Sequence, residues 1–251
     1  MITISIILFC QVVDGQRILN QLQNNTKFNW LVDSTSTQIT IYYEAESWTS
    51  SRLDRVRQRL LSQIEATKSF VGIETYSSRI YLFIVESRSR MKVLIGWETN
   101  GSAFYKYNAI TGIGSDKIRS IYSNHELFHL ISMNVWGVPE TWINEGMAVY
   151  SGGQWHGYDL YELTKYLYDN NRYVSLNKLI RNFRKVDDLV SYPLIGSFAK
   201  YLDETYGREK VIEIWKSKSK YIKDIIGKSI EELEMDWLIK VQEVVYEDIN
   251  Y

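Results

Sequence analysis

Two histidines one helical turn apart bracket a glutamate in the run His125-Glu126-Leu127-Phe128-His129. On a helix advancing about 100° per residue, His125 and His129 project about 40° apart, one above the other. Two imidazoles so placed can share one metal ion. Glu126 falls at the edge of the same face, where its carboxylate can act as general base toward a water at that ion. Leu127, Leu130 and Ile131 fall on the opposite side and are expected to pack into a core. The helix therefore has a chemical face and a structural face.

Zinc is the metal expected from this donor set. It takes imidazole and carboxylate ligands in tetrahedral geometry, and a catalytic site keeps one position open. Two histidines leave one protein ligand to find, and Glu145 in Trp142-Ile143-Asn144-Glu145-Gly146-Met147-Ala148 is the candidate. Gly146 and Ala148 are small enough to let that segment, as a second helix, lie close against the first. An antiparallel return after Pro139 would then carry Glu145 back to the metal. The expectation is one Zn2+ per chain, held by His125, His129 and Glu145, with Glu126 as base.

The elements that must position these groups follow from hydrophobic periodicity. Gln38 to Glu44 and Arg79 to Val85 read as strands, rich in β-branched and aromatic residues. Between them Leu53, Val56, Leu60 and Ile64 recur at helical spacing, with Ser50 or Ser51 as cap and an end near Val71-Gly72. Ser102 to Ile110 reads as a further strand or irregular edge, closed by a turn at Gly112-Ile113-Gly114. As an edge beside the metal it would pair with an extended peptide, with Phe104, Tyr105 and Tyr107 lining the cleft on alternate sides. From Asp116 the pattern turns helical. Helices are expected over 118–133, from Pro139 to about 150, over 158–168 and over 175–183. A long one is expected from Pro193 to Tyr206, then 209–216 and 229 to about 245. Strands first and helices after define an α+β fold: a small N-terminal mixed sheet with one crossing helix, then a mainly helical half carrying the zinc site.

Composition bounds the partners. With 45% hydrophobic and 24% charged residues in 251, the chain can bury a core as one domain, expected over 16–251. A net charge of -1, with no Lys/Arg stripe, gives no electrostatic case for nucleic acid or an anionic membrane. The single cysteine, Cys10, excludes an intramolecular disulfide. It ends an apolar run from Ile2 that is too short to span a bilayer. Residues 1–15 read as a secretory signal with cleavage before Gln16, although no Lys or Arg precedes the run. The implied location is secreted, periplasmic or cell-envelope. The alternative is an N-terminal strand in a cytoplasmic protein.

The segment His125 to His129, followed by Trp142-Ile143-Asn144-Glu145-Gly146-Met147-Ala148-Val149-Tyr150, resembles the peptidase MA-like group of gluzincin metallopeptidases. These have zincin-like catalytic domains similar to those of thermolysin and aminopeptidase N. The resemblance extends to Ser191-Tyr192-Pro193-Leu194-Ile195-Gly196-Ser197-Phe198, then Tyr201-Leu202, Tyr206-Gly207 and the stretch from Gly227 to Trp237. It spans about residues 37 to 245 and is strongest over 121–151. It implies that His125, His129 and Glu145 bind zinc, that Glu126 is the base, and that a peptide or protein is the substrate. It also implies a late-helix Tyr or His that stabilises the oxyanion, for which Tyr192 and His156 are the candidates. Two features depart from the pattern. The spacing from His129 to Glu145 is short, and Val149 stands where thermolysin has an Asp that orients a zinc-bound His. A supporting partner must come from elsewhere, and Asn144 is the candidate.

Three readings compete with a peptidase. The same metal chemistry can serve another amide or an ester, since the motif sets the reaction class and not the substrate. A metal-binding module without turnover would not need Glu126. A scaffold without metal would carry the histidines by chance.

Overall fold

The computed structural model describes residues 18–251. The proposed signal segment 1–15, with Cys10, lies outside the described residues. The described chain falls into two compact units, one ending at Asn134 and the other beginning at Val135. Together they make an α+β protein with its sheet in the first unit and mostly helix in the second.

The first unit holds a five-stranded mixed sheet. Its strands are β1 (Trp30–Asp33), β2 (Ile39–Glu44), β3 (Ile80–Val85), β4 (Gly101–Phe104) and β5 (Ala109–Ile113). The order across the sheet is β1-β2-β3-β5-β4. The inner pairs β2-β3 and β3-β5 are parallel, and the outer strands β1 and β4 run antiparallel to their neighbours. Ile39 pairs with Ile80, Ile41 with Leu82, and Leu82 with Ile110, so these side chains share one face. The other face carries Phe83, Val85, Ala109 and Ile113, in one cluster with Leu22, Phe28, Met91 and Leu94. Burial on both faces explains why β3 reads as an unbroken apolar run.

Helix α1 (Leu53–Val71) follows β2 as expected and buries Val56, Leu60, Ile64 and Val71. A second, short helix, α2 (Arg88–Ile95), follows β3, with Ser87 accepting from Arg90 N at its start. The sequence expectation of a single crossing helix left out α2, whose Arg-Ser-Arg-Met opening is too polar to show a period. The segment expected as one strand from Ser102 is a hairpin instead. A 3-10 turn (Tyr105–Tyr107) and left-handed Asn108, φ 48°, separate β4 from β5. Tyr105 and Tyr107 therefore do not alternate along a strand. Phe104 and Tyr107 pack against the cluster around Phe83. Gly112 and Ile113 belong to β5 rather than to a turn, because β5 continues its pairing with β3 to the Val85↔Ile113 rung. The helix expected over 118–133 opens as a 3-10 turn (Ser120–Tyr122) and becomes α3 only at Asn124–Val135.

The second unit contains α4 (Thr141–Ser151), the two-stranded hairpin β6 (Gln154–Trp155) and β7 (Tyr158–Asp159), and α5 (Leu160–Asp169). It continues with α6 (Leu176–Asn182), α7 (Asp188–Tyr206), α8 (Arg208–Lys216), α9 (Ile222–Ile226) and α10 (Ile230–Gln242). Helix α4 packs most extensively on α7. A Cβ at Gly146 would lie 2.7 Å from the Ile195 carbonyl oxygen, so the small residue of α4 serves its approach to α7. Helix α7 begins at Asp188, with the Asp187 side chain accepting from Leu189 N, and Pro193 lies inside it. The expected start at Pro193 fails because the aspartate cap starts the helix five residues earlier. Helix α10 opens on a capping box of Ser229 and Glu232 and seats Trp237 against Phe198, with its indole donating to Ser197 Oγ at 3.1 Å.

Candidate metal centre

The first unit supplies α3. Ser123 Oγ accepts from His125 N at 3.2 Å and satisfies one open donor of the first turn. Leu127, Phe128, Leu130 and Ile131 are buried, and the Phe128 ring meets Phe70 edge-on at 5.7 Å. These anchors fix the helix roll, so the opposite face presents His125 and His129 together. Their rings stand nearly perpendicular with centroids 4.6 Å apart, and their Nε2 atoms lie 3.0 Å apart. His129 is buried and His125 half-buried. The far end of α3 is tied down by Asn134, whose Nδ2 donates to the Tyr105 carbonyl at 2.9 Å and to Tyr76 Oη at 3.0 Å. Burial pushes the Tyr76 phenol up to about 12, against the opposing effect of the Asn134 hydrogen bond.

Glu126 is half-buried and lies over Gly101 on the edge strand β4. A Cβ at Gly101 would meet Glu126 Cγ at 2.9 Å and Oε1 at 3.0 Å.

The second unit supplies α4. Glu140 positions its start, accepting from Trp142 Nε1 at 3.1 Å and Ser219 N at 2.7 Å. Trp142, Ile143, Met147 and Ala148 are buried, and so is Glu145 at 6% exposure. A carboxylate this deep needs a partner. Arg184 provides one, donating from Nη2 to Glu145 Oε1 at 3.1 Å. Arg184 sits in the 3-10 turn after α6, 39 positions along the chain, where no local spacing ties it to Glu145. Sequence reasoning proposed Asn144 for a supporting role and missed Arg184.

The two candidates for oxyanion stabilisation are placed differently. Tyr192 lies in the interior of α7, not at its start. Its ring stacks on Trp155 at 5.0 Å and meets Phe183 edge-on at 5.1 Å. His156 is exposed at the tip of the β6–β7 hairpin, with φ 52° followed by Gly157 at φ 92°. Two positive φ angles in succession make a tight two-residue turn. The His156 ring packs edge-on against Tyr251 at 5.9 Å.

Of the three candidate ligands, His125 and His129 stand together on α3 in the first unit and Glu145 is buried on α4 in the second, each offering one ligand atom. No protein-family model matches the chain, and no curated protein matches it. Among the described residues, no helix is long and apolar enough to cross a membrane.

Proposed function

We propose that this protein is a zinc-dependent hydrolase of gluzincin type that cleaves peptide bonds, with His125, His129 and Glu145 holding one Zn2+ and Glu126 as general base. The observation that carries the reading is the convergence of two imidazole Nε2 atoms, 3.0 Å apart on one helix face. Ligand nitrogens sharing a tetrahedral ion with bonds of about 2.0–2.1 Å stand about 3.4 Å apart. The imidazole pair is therefore within a few tenths of an ångström of a shared-ion geometry. Two imidazoles and one carboxylate suit a borderline cation and leave a coordination position for a reactant.

When bound, zinc supplies Lewis-acid polarisation of a carbonyl and makes water more acidic. The chain's own residues supply the rest. Glu126, next to His125 on the same helix, takes the proton of the attacking water and returns it to the leaving amine. A carboxylate beside two ligands is what a hydrolytic site requires and a structural site does not. The Tyr192 hydroxyl is the candidate donor to the developing oxyanion, its ring fixed by Trp155 and Phe183. Arg184 donates to the Glu145 carboxylate and orients it.

Metal analysis by mass spectrometry of the purified protein tests the metal site. We expect about one zinc per chain in the wild type and its loss in His129→Ala. Glu126→Gln is expected to keep the metal and to lose hydrolysis of a peptide library. A wild-type protein that takes up no zinc, or an active Glu126→Gln variant, would overturn the assignment.

A further inference from the structure

The glycine beneath Glu126 is one of a pair. Gly101 on β4 is the cross-strand partner of Gly112 on β5. Directly opposed residues of an antiparallel pair point to the same face. On that face a Cβ at Gly112 would lie 2.8 Å from Ile121 Cδ1 and 3.1 Å from Ile121 Cα. A Cβ at Gly101 would lie 2.9 Å from Glu126 Cγ, 3.0 Å from its Oε1 and 3.2 Å from the Thr111 carbonyl oxygen. Carbon atoms in contact prefer about 3.5–4.0 Å. The β4–β5 rung is thus bare where the approach to α3 crosses it. Ile121 occupies one bare position and the Glu126 side chain the other.

The backbone under Glu126 is tied in place. Thr99 Oγ1 donates to the Gly101 carbonyl at 2.9 Å, Arg88 Nε donates to Asn100 Oδ1 at 2.8 Å, and the Ser120 hydroxyl donates to the Asn100 carbonyl. The same Ser120 Oγ accepts from Ile113 N at 2.8 Å, so one hydroxyl joins β5, the segment before β4 and the 3-10 turn before α3. On the other side, Glu126 follows the capped start of α3. With both backbones held, the two shortest contacts of an added methyl at position 101, both with Glu126, are relieved through the χ angles of Glu126.

We infer that Gly101 is a positioning residue for Glu126: its missing side chain sets where the carboxylate sits. The consequence for turnover rests on the reading of Glu126 as general base; the seating itself does not. A displaced base costs rate without removing a metal ligand, and a shift of about 1 Å in a reacting group can lose about 100-fold.

The test is a cycle of Gly101→Ala, Glu126→Ala and the double variant, followed by thermal melting, zinc stoichiometry and, on a peptide substrate, kcat and KM. Gly101→Ala is expected to lower the melting temperature by several degrees. In the Glu126→Ala background the same change should leave it unaltered or raise it, since alanine restricts the unfolded chain more than glycine. Gly101→Ala should keep its zinc and lose at least about 10-fold in kcat with KM unchanged. Should Gly101→Ala not fold, recovery of folding in the double variant is the same coupling. Equal destabilisation in both backgrounds would place the clash on the Thr111 carbonyl and overturn the inference. So would a Gly101→Ala enzyme with wild-type kcat. Glu126→Gln separates the two claims: coupling lost while Glu126→Gln is inactive removes the seating alone, whereas coupling intact with an active Glu126→Gln removes the base.

Discussion

Arg184 donates to Glu145 across 3.1 Å, joining a guanidinium that is 69% exposed to a carboxylate that is 7% exposed. The asymmetry decides what the pair does. Solvent screens the arginine's charge, so its repulsion of a nearby cation is weak. The hydrogen bond acts on a buried group with little freedom of its own. Orientation of Glu145 is therefore expected to outweigh repulsion. Arg184→Ala should weaken zinc binding about 10- to 100-fold, as loss of an outer partner commonly does, and Arg184→Lys should recover part of it. Competition with a chromophoric chelator measures this. Unchanged or tighter binding in Arg184→Ala would show that the pair does not support the metal.

Tyr192 offers a cleaner substitution. Its ring is held by the Trp155 stack and the Phe183 edge contact. Phenylalanine keeps both contacts and removes only the hydroxyl. If that hydroxyl donates to the oxyanion, Tyr192→Phe should lose about 100- to 1,000-fold in kcat, as loss of one such donor does. A variant with wild-type kcat would take Tyr192 out of the mechanism and return attention to His156.

The parts of this molecule that were legible in sequence are those whose signal is local. The period-2 and continuous apolar runs of β2 and β3 and the helical spacing of Leu53, Val56, Leu60 and Ile64 each lie within one element. So does the pairing of His125 with His129, one turn apart. Strand β1 was not legible, because Trp30–Asp33 leaves Leu31 and Val32 exposed at the sheet edge and shows no alternation of burial. The hairpin around His156 was hidden for a related reason: each of its strands is two residues long. At Pro193 two start signals competed, and the Asp187 cap prevailed over the proline. The Arg184–Glu145 and Gly101–Glu126 contacts join residues 39 and 25 positions apart, so only the folded chain brings them together.

The approach of α4 to α7 makes a stability prediction that bears on the same carboxylate. A methyl at Gly146 would lie 2.7 Å from the Ile195 carbonyl oxygen and 3.2 Å from Ala199 Cβ. The first obstacle is helical backbone, which cannot rotate away as a side chain can. Gly146→Ala should therefore push the helices apart and destabilise by about 1–3 kcal/mol, the usual cost of overpacking, despite alanine's better helix propensity of about 1 kcal/mol. Chemical denaturation reads the loss. Because Glu145 is the neighbouring residue, zinc affinity should fall with it. A variant as stable as wild type would mean that the helices can separate at no cost.

Acid sensitivity follows from Asp159, which caps α5. Burial pushes its carboxyl up, but the Lys200 ammonium at 3.0 Å and the N–H groups of Tyr161 and Glu162 pull it further down. The net effect holds Asp159 below the ordinary carboxylate value. A group whose pKa is lower in the folded state binds protons more readily when unfolded. Its contribution to stability is present in full above the unfolded value of about 3.9 and is lost as pH falls through the lower folded value. Asp159→Asn keeps an oxygen for the helix cap and removes the charge. The variant should melt below wild type at pH 7 and pH 5, and the gap should close as the pH approaches 3. Melting curves of both proteins across that range provide the measurement. A gap of constant size from pH 7 to pH 3 would show that the Lys200 pair contributes nothing to stability and that only the cap matters.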